Sequence, residues 1–268
     1  MAAGRFPTFF ISHGGGPWPW MKEQLGGAYD RLEESLARMP AAIGAAPTAV
    51  LMLSAHWEAP EFTVQTNPAP GMLYDYGGFP EFTYRVTYPA PGAPEVAGRV
   101  RQALDRAGIA SREDAGRGFD HGMFAPMAII YPRADVPTLQ LSLKHGLDPQ
   151  AHLALGRALA PLRDEGVLII GSGLSYHNLR AFGPAARAPS AAFDAWLQDT
   201  LALRDATARS NALAAWETAP AARLAHPREE HLLPLMVAVG AAQDEAAVRV
   251  YHEREFFGGI TVSSFRFG

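Results

Sequence analysis

The sequence predicts an α/β fold: a single domain over residues 1–268, with a central, largely parallel or mixed sheet flanked by helices and a metal site at the C-terminal strand ends. Three observations carry this reading. Apolar runs with the β-branched and aromatic bias of buried strands occur at residues 8–12, 49–55 and 167–170. Each leads through small residues to a histidine or is followed by glycines: His13 before Gly14-Gly15-Gly16, His56 after Ser54-Ala55, and His177 after Gly171-Ser172-Gly173-Leu174-Ser175-Tyr176. Helical patterns alternate with the strand-like runs, and no repeat, low-complexity tract or linker divides the chain. In open α/β sheets the carboxyl ends of the strands are where ligands bind. Three glycines in a row permit positive φ and a close approach of backbone to a bound group.

The elements follow in order. Pro17 and Pro19 keep residues 17–20 in a loop, and Leu25, Leu32, Leu36 and Met39 keep helical spacing until Pro40 ends the pattern. Residues 62–66 form a further short strand. Residues 67–94 are dense in Pro, Gly and aromatics, and a loop this long inside a compact domain is a wall or lid over a site. Val96, Val100 and Leu104 mark a helix over residues 95–107, ended by Gly108. A short helix at 126–131 and a strand at 136–143 come next, then a helix opened by Asp148-Pro149 that runs to Gly166. A long helix covers 190–207, an apolar helix 232–239, and closing strands 248–251 and 261–267.

Composition narrows the function classes. A content of 48% hydrophobic and 19% charged residues is that of a globular protein, and a chain of 268 residues buries a large core without staples. The net charge of −4, with no basic cluster, gives no electrostatic case for nucleic acid. The most apolar stretch, 232–242, is too short for a bilayer and contains Pro234 and Gly240. No signal peptide is apparent, so the expectation is a soluble cytoplasmic protein, a monomer or small homo-oligomer. There is no cysteine, which leaves histidine and carboxylate as metal ligands.

Of nine histidines, His145, His152, His226 and His252 read as structural or surface residues. His13, His56 and His121 sit beside Gly, Ser or Ala and His177 two residues after Ser175, at strand ends or loops, and His231 opens a helix. Neutral imidazole is the commonest protein metal ligand, so these five are the candidates for one shared site. The glycine run lacks the lysine of a phosphate-binding loop, and Gly171-Ser172-Gly173-Leu174-Ser175 is not a nucleophile elbow.

Several motifs together resemble a known family. They are His13 with its glycines, Ser54-Ala55-His56-Trp57, Tyr74-Asp75-Tyr76-Gly77-Gly78-Phe79-Pro80 and Tyr88-Pro89-Ala90-Pro91-Gly92. Phe119-Asp120-His121-Gly122, Ser175-Tyr176-His177-Asn178 and His226-Pro227 with Glu230-His231 complete them, in order along nearly the whole chain. The set resembles the DOPA-type extradiol ring-cleaving dioxygenases of the class III, LigB-like superfamily. The resemblance implies a mononuclear non-haem site acting on a small aromatic diol (a catechol) and O2. It implies His13, His56 and His231 as metal ligands, His177 as acid/base and His121 as a histidine facing substrate and oxygen. Glu230 is the alternative third ligand, since the wider superfamily uses a glutamate there. Fe(II) is the expected active metal, with Zn2+ possible in the purified protein. Two rivals share the ligands: a zinc hydrolase with Glu58 or Glu230 as base, and a non-enzymatic binding protein.

Overall fold

The computed structural model describes residues 4–268. Its elements are β1 (Thr8–Ser12), α1 (Lys22–Leu25), α2 (Asp30–Ala37), α3 (Met39–Ile43), β2 (Ala49–Ala59), β3 (Phe62–Gln65), α4 (Pro94–Arg106), β4 (Ser111–Asp114) and α5 (His121–Ile130). There follow β5 (Thr138–Lys144), α6 (Pro149–Leu159), β6 (Val167–Gly173), α7 (Arg187–Leu201), α8 (Ala206–Ala214), α9 (Ala222–Ala225), α10 (Leu233–Ala242), β7 (Ala247–Phe256) and β8 (Ile260–Phe267).

All eight strands form one mixed sheet in the order β4-β3-β5-β2-β6-β1-β8-β7. The central four, β5, β2, β6 and β1, are mutually parallel, while β8 and β7 add antiparallel at one end and β3 runs antiparallel to β5 at the other. Parallel strands are covered on both faces, which is why the central runs are continuously apolar rather than alternating. The period of two then divides each strand between two cores. Val50 and Met52 of β2, with Leu168 and Ile170 of β6, pack in one cluster with Met123 and Phe124 of α5 and Phe193 of α7. Leu51, Leu53, Val167 and Ile169 pack in the other, with Val100 and Leu104 of α4 and Leu155 and Leu159 of α6. The single-domain α/β expectation thus holds.

Several local expectations are corrected. The helical pattern over residues 25–39 is not one helix: Gly26, at φ 55°, ends α1, and Pro40 sits in the first turn of α3 instead of ending a helix. Strand β2 does not stop before His56 but runs through it, with its register against β5 shifting between Leu53 and Glu58. Helix α5 starts at His121, five residues before the expected start, because Asp120 caps it. The long helix over 190–207 ends at Leu201, and Asp205 caps a separate α8. Among the described residues no helix is long and apolar enough to cross a membrane.

Candidate metal centre

Five histidines from five segments meet at one end of the sheet. His13 leaves β1, tied by its N–H to the Gly173 carbonyl at 3.1 Å. His56 stands in the irregular part of β2, a device that re-aims side chains beside active sites. His121 is the first residue of α5, His177 follows β6, and His231 precedes α10. Ring centroids are 4.9 Å apart for His13–His56, 5.2 Å for His13–His231 and 4.9 Å for His56–His231. A triangle of that size has its centre about 2.9 Å from each centroid, close to the roughly 3.2 Å that a metal–nitrogen bond of ~2.1 Å requires. His121 lies 3.9 Å from His56, and His177 stacks on His231 at 3.3 Å. The donor atoms of His13, His56 and His121 fall within 4.8 Å of one another, as do those of His177, Glu230 and His231.

The orientation of each ring follows from its Nδ1 partner. Pro126, inside α5, has no N–H for the carbonyl of Gly122 four residues earlier. That carbonyl accepts the Ser172 hydroxyl at 2.5 Å instead. With its proton committed, Ser172 Oγ can only accept from His13 Nδ1, 3.0 Å away. His13 therefore carries its proton on Nδ1 and a lone pair on Nε2. His231 Nδ1 bonds Glu230 Oε1 at 3.0 Å, and His56 Nδ1 faces Asp75 Oδ2 at 3.4 Å. These contacts put the proton on Nδ1 and leave Nε2 as a lone pair in both rings. The Nε2 atoms of His13 and His56 then face each other at 3.1 Å, two acceptors with no hydrogen between them. Such a pair suits a cation: bonds of ~2.1 Å put two donors about 3.0 Å apart at 90° and about 3.4 Å apart at 109°.

The electrostatics keep these rings neutral. Burial first, then the neighbouring histidines, holds His13 and His231 well below the ordinary imidazole value. Burial and His121 push His56 down to about 4, against the opposing pull of Asp120 and Asp75. Neutral imidazole is the ligating form. Burial raises the carboxyls of Asp75 and Glu230, but His121 at the first and His177 at the second hold each net below the usual range.

Two carboxylates thus bracket the cluster. Asp75 lies against His121 Nδ1 at 2.9 Å as well as His56, and Glu230 lies against His177 Nδ1 at 3.3 Å as well as His231. Asp75 has no role in the sequence reading. Its signal was only an acid set among aromatics in a long loop. The fully buried Asp120, missed likewise, accepts from Ser54 Oγ at 2.7 Å, Arg117 Nη2 at 2.9 Å and Gln140 Nε2 at 2.7 Å while capping α5, and so fixes where His121 stands.

Above the imidazoles is a cavity of about 430 Å³. One wall is the glycine loop, where a Cβ on Gly16 (φ 54°) would lie 2.8 Å from the Phe79 ring. The loop over residues 67–94 does form the facing wall: Phe79 lines the cavity, and Tyr76, its hydroxyl bonded to the Thr83 carbonyl at 2.7 Å, sets its ring against His121. Below, Gly173 lets the chain pass the His231 carbonyl, which a Cβ would approach to 2.1 Å. Of the other histidines, His226 is buried and bonds the Ser175 carbonyl at 3.0 Å. His152, read as structural or surface, is buried and bonds the Asp148 carbonyl at 2.7 Å.

Residues 7–268 match the family described as the catalytic LigB subunit of aromatic ring-opening dioxygenase. A Beta vulgaris protein named 4,5-DOPA dioxygenase extradiol is 39% identical over 265 residues, covering 97% of this chain and 96% of the relative. An Escherichia coli (strain K12) protein of the same name is 30% identical, covering 100% and 97%. The crystal structure of an uncharacterized Escherichia coli K12 protein superposes with a TM-score of 0.79 at 27% identity, covering 98% of this chain and all of that one. With a full-length family match and relatives of this similarity, the chain belongs to the LigB family of extradiol aromatic ring-opening dioxygenases, metal-dependent oxygenases that incorporate both atoms of O2.

Proposed function

We propose that the protein, acting as one catalytic domain, opens the ring of a catechol-type diol with O2, using Fe(II) held by His13, His56 and His231. The observation that supports this most directly is the tautomer set: the buried His13 and His231 and the half-buried His56, each with Nδ1 facing a partner, and with Nε2 of His13 and His56 turned to one another. Bound there, Fe(II) supplies open coordination positions and the redox chemistry that O2 requires. Zn2+ suits the same nitrogens but is redox-inert, so a zinc form is inactive.

The chain's own groups do the rest. His177 lines the cavity stacked on His231, where it takes a hydroxyl proton from the diol and later returns one. Glu230 at its Nδ1 sets the ring orientation. His121, held by Asp75, presents its imidazole to the bound ring and oxygen from the other side. Phe79 and the glycine loop exclude water. The names of the relatives make DOPA the first catechol to assay.

The hydrolase reading is disfavoured by its missing base. Glu58 is held by Arg228 in a two-point ion pair at 2.6 and 2.5 Å and does not line the cavity, and Glu230 is committed to two imidazoles. The test is metal analysis followed by anaerobic Fe(II) loading and oxygen-electrode assay. One O2 consumed per catechol, with two labelled oxygens from 18O2 in the product, is expected. No uptake with any catechol, beside ester or amide cleavage by the zinc form, would sink the proposal.

A further inference from the structure

Resting on that ring-opening reading, we infer that the substrate carries an uncharged, largely apolar ring substituent rather than an amino-acid side chain. A ring of benzene size fills a cavity of about 150 Å³, so most of the 430 Å³ here is left for what the ring carries. That space is walled by Leu25, Leu174, Phe79, Phe182, Phe256 and Phe257. Among the described residues no Lys, Arg, Asp or Glu lines it; its polar side chains are the imidazoles and Tyr29. The two carboxylates behind the histidines each face two imidazoles and neither lines the chamber, so neither meets a substrate ammonium there.

A separate, more open cavity that shares His177 and Leu179 with the chamber is lined by Arg180 and Arg228. Arg228 is held by Glu58 and Glu230. Arg180 is exposed, so a carboxylate reaching it would have left the apolar chamber for solvent. A zwitterionic side chain would therefore be desolvated without partners, whereas each buried methylene of an alkyl chain strengthens binding by roughly four-fold.

The test compares catechol, 4-propylcatechol and L-DOPA on the Fe(II)-loaded enzyme by O2 uptake. Their binding to the zinc-loaded protein under nitrogen is measured by calorimetry. The expected result is a kcat/KM and an affinity that rise from catechol to 4-propylcatechol, with L-DOPA at least about ten-fold below the latter, the difference lying in KM. Phe182→Arg, which places a cation in the wall, should narrow that gap. L-DOPA turned over or bound as well as 4-propylcatechol, or a gap unmoved by Phe182→Arg, overturns this inference while leaving ring opening intact. No O2 uptake with any of the three overturns ring opening, and the inference with it.

Discussion

Oδ1 of Asp75 lies 2.9 Å from Nδ1 of His121 and also accepts the backbone N–H of His121 at 2.9 Å. Its other oxygen faces His56. One carboxylate from the aromatic loop therefore orients both a proposed ligand and a proposed catalytic imidazole. Replacing it by an amide keeps the shape but removes the charge that fixes both tautomers. Asp75→Asn should keep its fold and lose activity by about 10–100-fold, as when the groups that orient metal-binding side chains are replaced. Steady-state kinetics with metal content per chain checks this, and unchanged kcat in a fully loaded variant would refute it.

Ser172→Ala examines the link from Pro126 to His13. The substitution leaves the Nδ1 proton of His13 without an acceptor in a buried site, at a cost of about 1–3 kcal/mol. Metal affinity should fall by about 10–100-fold. Competition against a chromophoric chelator reads the affinity, and a retained affinity would mean that the serine does not set the tautomer.

Alanine substitutions at the cluster separate ligands from catalytic groups. His231→Ala should abolish stoichiometric metal binding. His121→Ala should keep it, and His177→Ala should keep it while losing about 10²–10⁴ in turnover. Metal analysis of the three variants decides. Since the donor atoms of His121 also fall within 4.8 Å of those of His13 and His56, metal lost from His121→Ala but kept in His231→Ala would exchange their roles.

His152 makes a pH prediction away from the site. Burial pushes it down to about 4, and its ring bonds the Asp148 carbonyl through Nδ1 and accepts the Lys144 N–H at Nε2. The folded protein keeps it neutral, so its contribution is complete above the unfolded value near 6.5. As the pH falls from there to about 4 the unfolded chain takes up a proton that the native state refuses. That loss approaches roughly 3 kcal/mol. In His152→Gln the slope of unfolding free energy against pH over this window should flatten by up to about 1.4 kcal/mol per unit. Urea titrations at several pH values check it, and a slope equal to that of the unsubstituted protein would be the contrary result.

The parallel centre of the sheet was legible because β1, β2 and β6 are buried on both faces, which makes their apolar runs unbroken. His13, His56 and His121 stood out because a small residue, Ser, Gly or Ala, stands next to each. What escaped was set by distant contacts. The start of α5 depends on Asp120, whose partners Ser54 and Gln140 lie far off in the chain. Short β4 carries the polar sequence Ser-Arg-Glu-Asp and is a strand only because β3 pairs with it. Asp75 reaches imidazoles 19 and 46 residues away in sequence, and no local pattern announces that.

No two of the five converging imidazoles share a strand or helix, and they span the chain from the exit of β1 to the entrance of α10. A fragment ending before residue 231 would hold some of the donors but never the full set. With the proposed donors scattered in this way, only the tertiary fold assembles them, and chelator-resistant metal is expected to report folding. Release of metal in rising urea should coincide with loss of the sheet rather than precede it.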